Sequence, residues 1–220
     1  MQLSFTSGII VDRFALNVIM TIDINLLLAW GATYKKVGHG DIIFREGNNC
    51  SFYHQLVSGV VKWVNINEDG REFIQTIVEP GESFGIVSLF DDEPYAATAI
   101  AEKDSIILRL HKPVFLNLLE ESSTLQSKFS RLLAEQIRFK LLLLKTISFE
   151  DPHICISTLI GYLKKNKKNI CANCNQLKLT RQQIAGMTGL RVETVIRTMR
   201  HMHDDGELLI TKGKVFCLYD

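Results

Sequence analysis

Apolar and polar positions change their spacing along the chain, and each change predicts a different kind of element. Residues 9–31 carry apolar side chains at roughly helical spacing, which predicts a helix. From residue 36 to about residue 109, short apolar runs such as 60–64 and 73–78 alternate with glycine-containing or acidic turns. Short runs separated by turns at this interval predict an antiparallel β-roll or barrel.

Beyond Pro113 the pattern becomes helical again. No glycine occurs before Gly161, and apolar residues recur near helical spacing over 118–144. A helix of this length with an apolar stripe is typical of dimerisation, and a helix buried against its own domain is the alternative. The pair Asp151-Pro152 predicts a break, with another helix over 154–163 and a short strand near 176–179.

Residues 180–197 carry the pattern of a helix-turn-helix. Thr180 is placed to cap a first helix, and Gly189 can adopt the left-handed conformation that ends a helix in a tight turn. A second helix then turns its apolar residues inward and leaves a polar side. That polar side consists of Arg191, Glu193, Thr194 and Arg197.

This polar side suits the reading of bases in a DNA major groove. Arginine can pair bidentately with guanine, and glutamate can accept a hydrogen bond from the cytosine amino group. Residues 208–218 predict a two-stranded wing with a basic tip, and basic side chains around it suit phosphates. The predicted DNA-binding residues are Thr180, Arg181, Gln182, Arg191, Glu193, Thr194, Arg197, Lys212 and Lys214.

Charge and composition agree with a DNA-binding C-terminal region. The chain has a net charge of +1; residues 151–220 have eleven Lys/Arg and six Asp/Glu, giving +5, which leaves −4 for residues 1–150. No apolar run approaches the roughly 20 residues of a membrane span, and no signal peptide is recognisable. Five cysteines do not form a secreted disulfide framework, so we expect a cytoplasmic protein with no membrane partner.

The motifs together resemble the cyclic-AMP receptor protein/fumarate-nitrate regulator (CRP/FNR) superfamily of bacterial transcription regulators. The resemblance rests on 40–47, 80–85, 93–99, the long helix and 179–185, in that order. It implies an α+β fold with an N-terminal antiparallel β-roll sensor similar to cyclic nucleotide-binding domains (1–112), a dimerisation helix (113–147) and a C-terminal winged helix-turn-helix (148–220). It also implies a homodimer on a near-palindromic operator, and RNA polymerase as a partner if the protein is an activator.

Within the second helix, Val192, Glu193 and Thr194 are similar to the fumarate-nitrate branch, whereas the cyclic-AMP branch usually has arginine in place of Val192. By resemblance, Glu193 and Arg197 read a G·C pair. Ile196 departs, because that branch has a base-contacting serine there. We therefore predict a half-site with a TGA-like core and make no prediction for the flanking bases.

The sensor departs from relatives that bind cyclic nucleotides. Ile86 stands where they hold the ribose with glutamate, and Tyr95 stands where they hold the phosphate with arginine. A buried phosphate without a cationic partner carries a large desolvation cost. We therefore predict no tight binding of cyclic AMP or cyclic GMP. The pocket positions implied by the resemblance are Gly81, Glu82, Gly85, Ile86, Tyr95, Ala96, Lys140 and Leu141.

The sequence leaves open whether the sensor responds to a metal, to haem or to redox chemistry. An iron–sulfur cluster would need cysteines near the N-terminus, and the first is Cys50. The Cys171-x-x-Cys174 spacing suits a redox pair, half a metal site, or two ordinary thiols in a hairpin. His153 and Cys155 could complete such a metal site, and His39, His54 and His111 are candidates for haem. We predict no cofactor, with haem or a metal at Cys171 and Cys174 as the alternatives.

The sequence contains no group of residues that points to catalysis. It has no recognisable pair of nucleophile and base, and no two carboxylates at a spacing typical of acid–base catalysis. Two other classes compete with a transcription factor. One is a ligand-binding module like those fused to kinases or channels, and the other is an enzyme on a cupin-like β-roll. The C-terminal helix-turn-helix argues against the first, and His39 with His54 does not supply the ligands of the second. We therefore predict a non-enzymatic DNA-binding regulator.

Overall fold

The computed structural model describes residues 22–148 and 151–218. Within the helix predicted over 9–31, the structure has α1 (Ile24–Ala29), and positions 9–21 of that prediction lie outside the described residues. The Asp23 carboxylate begins α1 by accepting the N–H of Leu26 at 3.0 Å.

The predicted antiparallel β-roll is confirmed. Two four-stranded sheets enclose an apolar interior, with strand orders β1-β8-β3-β6 and β2-β7-β4-β5, and all strand pairs are antiparallel. A short helix, α2 (Val87–Phe90), follows β6. We call residues 33–111 the sensor. Its strands are β1 (Thr33–Val37), β2 (Ile42–Phe44), β3 (Phe52–Ser58), β4 (Val61–Ile66), β5 (Glu72–Val78), β6 (Ser83–Phe84), β7 (Thr98–Ala101) and β8 (Ser105–His111).

The region predicted as one dimerisation helix over 113–147 consists of two helices, α3 (Lys112–Glu120) and α4 (Ser123–Ser148). Ser122 separates them. Its hydroxyl accepts the N–H of Leu125 at 3.3 Å and its carbonyl accepts the N–H of Gln126 at 3.0 Å, which is the hydrogen bonding of a helix N-cap. The break arises because this local cap competes with continuation of α3.

The helix α4 packs on different partners along its length. Near its start, Phe129 meets Phe115 of α3 edge-on, with ring centroids 5.4 Å apart, and Phe115 stacks on Tyr53 of β3 at 4.5 Å. Near its end, Phe139 stacks on Tyr162 at 3.7 Å, and Tyr162 belongs to α5 (Pro152–Lys165). The single helix α4 therefore contacts both halves of the molecule.

Residues 151–218 form the predicted winged helix-turn-helix, which we call the reader. The Asp151 carboxylate caps α5 at the break predicted from Asp151-Pro152. The three-stranded sheet has the order β10-β11-β9, and the predicted wing is its β10–β11 hairpin. The remaining elements are β9 (Gln176–Leu177), α6 (Arg181–Thr188), α7 (Val192–Asp204), β10 (Leu208–Thr211) and β11 (Lys214–Cys217).

Sensor and reader share one apolar core. Ile74 and Ile77 of β5 belong to the same buried cluster as Ile184 of α6 and Leu159 of α5. The reader is therefore docked on the outer face of β5, an arrangement that the sequence did not predict. Among the helices of residues 22–148 and 151–218, none is long and apolar enough to cross a membrane.

Candidate nucleic-acid interface and effector cavity

The helix-turn-helix is built by local hydrogen bonds that the sequence encodes. The Thr180 hydroxyl accepts the N–H of Gln183 at 3.1 Å, and the Gln183 side chain accepts the N–H of Thr180 at 2.8 Å. This reciprocal capping box starts α6. Gly189 ends the helix with φ = 73°, a conformation that side chains with a Cβ rarely adopt. The corner between α6 and α7 is thus fixed where the sequence predicted it.

The helix α7 separates its apolar and polar sides as predicted. Val195, Met199 and Met202 are buried in the reader core. On the other side, Arg191, Glu193 and Arg197 are exposed and Thr194 is half-buried. Thr180 and Gln182 of the first helix are exposed as well.

Two further α7 residues share that exposed side. Ile196 is 42% exposed, although it is apolar. Arg200 is exposed one helical turn beyond Arg197, and it was missed in the sequence analysis. Its spacing of three from Arg197 on one helix face was the signal that could have found it.

The wing tip presents basic side chains. Lys212 (φ 49°) and Gly213 (φ 77°) form the turn between β10 and β11, and Lys212 and Lys214 are exposed. Arg181 makes a contact within the reader that the sequence did not predict. Its guanidinium donates to the Gly213 carbonyl at 3.1 Å, and partial burial lowers its pKa. Arg181 thus braces the wing against α6.

The turn between β4 and β5 lies against the corner of the helix-turn-helix. Arg71 donates from Nη2 to the Gly189 carbonyl at 2.8 Å. A groove between the two is lined by Arg71 and Glu72 on the sensor side and by Arg191 and Glu193 on the reader side. The sensor therefore occupies the space beside the predicted base-reading end of α7.

Ion pairs reinforce this docked arrangement. Glu79 accepts the Asn169 N–H at 2.6 Å through one carboxylate oxygen and the Lys178 ammonium at 2.8 Å through the other. Glu82 pairs with Lys168 at 2.9 Å, with each side chain 15% exposed. All these contacts join sensor strands or turns to reader residues, so the docked arrangement depends on charge as well as apolar packing.

A cavity of about 80 Å³ lies where sensor, α4 and reader meet. Four of the predicted pocket residues line it: Glu82, Gly85, Ile86 and Lys140. The reader contributes Tyr162, Asn166, Lys168 and Met187 to the same wall. A molecule bound there would touch both halves of the protein.

The other predicted pocket residues lie elsewhere. Tyr95 is buried with its ring stacked on Phe44 at 3.7 Å, and burial raises the pKa of its hydroxyl. Ala96 is exposed, and its carbonyl accepts a hydrogen bond from Asn65 at 2.7 Å. Leu141 is 62% exposed on α4, and Gly81 forms the turn before β6 with φ = 94°.

Lys140 is the unusual charge of the cavity. Its ammonium donates to the side-chain oxygen of Gln75 at 2.6 Å and to the Gln75 carbonyl at 3.1 Å. Burial, and then the nearby Lys168 ammonium, lower the pKa of Lys140 to about 8. Among the interactions described, the half-buried Lys140 ammonium therefore donates to two neutral oxygens and pairs with no carboxylate.

The candidate haem and metal residues lie apart. His39 is exposed, with Nδ1 2.8 Å from the Glu102 carbonyl. His54 is buried between Phe44 and Phe84, and burial together with Arg109 and Lys35 lowers its pKa to about 3.

His111 lies at the end of β8 with its ring 4.4 Å from that of Phe52. His153 pairs with Glu207 at 2.8 Å, and Cys155 is buried. The described residues contain no group of three or more His, Cys, Asp and Glu side chains that could hold a metal ion.

Comparison with known proteins assigns both halves of the chain. Residues 34–122 match the cyclic nucleotide-binding domain, and residues 156–218 match the Crp-like helix-turn-helix domain. The chain is 25% identical over 177 residues to the cyclic AMP receptor protein of Thermus thermophilus, which covers 80% of this chain and 79% of that protein. It is 25% identical over 183 residues to the transcriptional activator protein anr of Pseudomonas aeruginosa, covering 82% and 74%.

Solved structures share the fold. A mutant of CooA from Carboxydothermus hydrogenoformans superposes with a TM-score of 0.71 at 18% identity, covering 94% of this chain and 92% of that one. FixK2 from Bradyrhizobium japonicum gives a TM-score of 0.66 at 19% identity, covering 86% and 93%. With the β-roll and the helix-turn-helix both matched in their order along the chain, this protein belongs to the CRP/FNR family of DNA-binding transcription regulators.

Proposed function

We propose that this regulator works in the bacterial cytoplasm as a homodimer that reads a near-palindromic operator with a TGA-like half-site core. The observation that carries the proposal is the exposed polar side of α7, which belongs to a helix-turn-helix with a capped first helix and a glycine at its turn. Arg197 and Glu193 read a G·C pair, and Arg200, Lys212 and Lys214 contact phosphates. RNA polymerase becomes a partner where the operator position makes the protein an activator.

Selection of operators from a random DNA pool tests the base-reading assignment, with Arg197→Ala and Arg200→Ala compared in parallel. Arg197→Ala should lose discrimination at one base pair in each half-site, at a cost of about 1–3 kcal/mol per half-site. Arg200→Ala should weaken all sequences alike and reduce the salt dependence by about one counterion per subunit. An unchanged operator preference in Arg197→Ala would contradict the assignment.

The second half of α4 supplies the dimer contact. Ile137, Leu141 and Leu144 are 59%, 62% and 61% exposed, and their spacings of four and three place them on one helix face. An exposed apolar stripe with this spacing fits the same stripe of a second copy. A two-fold dimer through α4 would present two α7 helices to successive major-groove segments, about 34 Å apart.

The input of the regulator acts through the cavity and the docked arrangement. Because the cavity walls come from both sensor and reader, a bound molecule makes different contacts in the docked and in the separated arrangement. This difference in contacts shifts the equilibrium between the two arrangements. In the docked arrangement Arg71 lies beside the α7 N-terminus and hinders its approach to a groove. Separation of reader from sensor therefore favours DNA binding.

Cyclic nucleotides do not fit this cavity. The cavity of about 80 Å³ is far below the roughly 300–1,000 Å³ of ordinary ligand pockets. The two family positions for ribose and phosphate are Ile86, which is buried, and Tyr95, which packs on Phe44. Calorimetry should detect no tight binding of cyclic AMP or cyclic GMP to the purified protein, and a micromolar affinity would contradict the proposal.

A further inference from the structure

The hairpin that connects α5 to β9 contains a feature that DNA reading does not use. Its strands are joined by hydrogen bonds from the Cys171 N–H to the Gln176 carbonyl at 2.8 Å and from the Asn175 N–H to the Cys171 carbonyl at 2.9 Å. Asn175 takes a left-handed conformation, with φ = 55°, that asparagine tolerates. The intervening turn begins at Cys171 and includes Cys174.

This turn brings the two thiols within reach of one another. The hydrogen bond from the Asn175 N–H to the Cys171 carbonyl closes a single turn of helical type, in which the Cα atoms of the first and fourth residues are about 5 Å apart. A disulfide needs a Cα separation of about 4.4–6.8 Å. Cys174 is exposed and Cys171 is partly exposed, so both sulfur atoms are open to small reagents from solution.

The surroundings also favour the thiolate of Cys171. The Cys174 thiol, the backbone N–H groups of Asn173 and Cys174, and the charge of Lys178 lower the pKa of Cys171. Two other cysteines provide a contrast within the same chain. Cys155 and Cys217 are buried, and burial raises the pKa of each thiol.

We propose that Cys171 and Cys174 form a redox-active dithiol that a peroxide oxidises to an intramolecular disulfide. The Cys171 thiolate attacks one peroxide oxygen, the O–O bond breaks, and the leaving hydroxide takes a proton to become water. Cys174 then attacks the sulfur of the Cys171 sulfenic acid, and the proton of the Cys174 thiol passes to the departing hydroxide, which leaves as the second water. Two thiols are oxidised by two electrons in total, and hydrogen peroxide is reduced to two waters.

The geometry favours this chemistry over a metal site. A structural zinc ion takes four ligands, and the turn supplies two. His153, which the sequence offered as a further ligand, is engaged by Glu207 at 2.8 Å. No third His, Cys, Asp or Glu joins the pair within the described part of the chain.

The position of the dithiol connects it to the sensor–reader contact. Asn169 and Lys178, on the two sides of the same hairpin, both bind Glu79 of the sensor. The chain then passes directly from Lys178 to Thr180, the cap of α6. A disulfide across the turn would therefore form within the segment that ties the reader to the sensor.

Mass spectrometry of the full-length chain tests the proposal. Reduced protein is treated with hydrogen peroxide, the remaining thiols are alkylated, and the protein is digested. We expect a peptide with Cys171 and Cys174 joined and two hydrogens lost, whereas Cys155 and Cys217 become alkylated after unfolding. Without peroxide, Cys171 should be alkylated at pH 7 about tenfold faster than these buried thiols.

Two variants make the result specific. Cys174→Ser removes the second thiol and should leave a Cys171 sulfenic acid that a dimedone probe captures, whereas Cys171→Ser should show no capture at Cys174. Three outcomes overturn the proposal: both thiols stay alkylatable after peroxide, the peroxide product joins two different chains, or a zinc ion that resists chelators protects the pair.

Discussion

Replacing Gly186 with alanine should release the reader from the sensor while leaving the reader itself intact. Gly186 lies in α6, and a Cβ added there would be 2.9 Å from both Cδ1 and Cγ1 of Ile74. Ordinary carbon contacts are at about 3.5–4.0 Å, so the surfaces must move apart by about 0.6 Å or more. Ile74 is 4% exposed and β-branched, which leaves it little freedom to yield.

The free-energy change acts in opposite directions on the two parts of the molecule. Alanine in a helix interior is favoured over glycine by about 1 kcal/mol, which stabilises α6. Overpacking against Ile74 costs about 1–3 kcal/mol, and this cost exists only while the reader is docked. A shift of that size changes the ratio of separated to docked molecules by about 5- to 150-fold.

Operator binding by fluorescence anisotropy and hydrogen exchange across β5 and α6 measure this shift. Gly186→Ala should bind operator more tightly in the absence of effector and exchange faster at the contact. Gly161→Ala is the matched control, because it also lies in a reader helix and an added Cβ there meets nothing within 4 Å. If both variants behave like the wild type, the docked arrangement does not restrain DNA binding and the reasoning fails.

Three other changes probe separate features. Leu141→Glu should dissociate the dimer in analytical ultracentrifugation. Leu142→Glu is the control, because Leu142 lies on a different side of α4 and is 51% exposed, and it should leave the dimer intact. If both variants remain dimers, the exposed stripe of α4 is not the dimer contact. Because the Lys140 pKa falls from 10.5 to about 8 on folding, the unfolded chain binds more protons between these values, so stability rises with pH there. Lys140→Met should abolish this rise, which is at most about 3 kcal/mol in denaturant titrations, and an identical pH slope in both proteins would count against it. Between pH 6.5 and about 3 only the unfolded chain takes up a proton at His54, so the wild type loses stability as the pH falls. His54→Leu should remove this loss, and equal acid sensitivity of the two proteins would contradict the reasoning.

The sequence alone predicted the β-roll, the helix-turn-helix and the wing, because their signals are local. The capping box joins Thr180 to a residue three positions away, and Gly189 ends α6 through its own backbone conformation. The apolar spacing of α7 likewise separates Val195 and Met199 from the side that faces solvent. The site residues chosen on α7 follow from that spacing, and Arg200 was within reach of the same reasoning.

Other features depend on residues that are far apart in the chain. Arg71 and Gly189 are separated by 118 positions, and the residues around either one do not predict the contact between them. The predicted pocket was transferred position by position, so it included Tyr95 and Leu141, which packing and exposure place outside the cavity wall. The break at Ser122 was also missed, since a capping serine competes with helix continuation by a small free-energy difference.

What the sequence determined by itself was therefore the output of this protein, a DNA-reading surface made from residues close together along the chain. What only the tertiary structure decided was how the two halves pack together: the docking on β5, the small cavity beside Lys140, and the contacts of Asn169 and Lys178 with Glu79. The physical reason is that apolar burial and ion pairing between distant segments are non-directional and depend on the whole fold, whereas caps, turns and helical spacing are specified within a few residues.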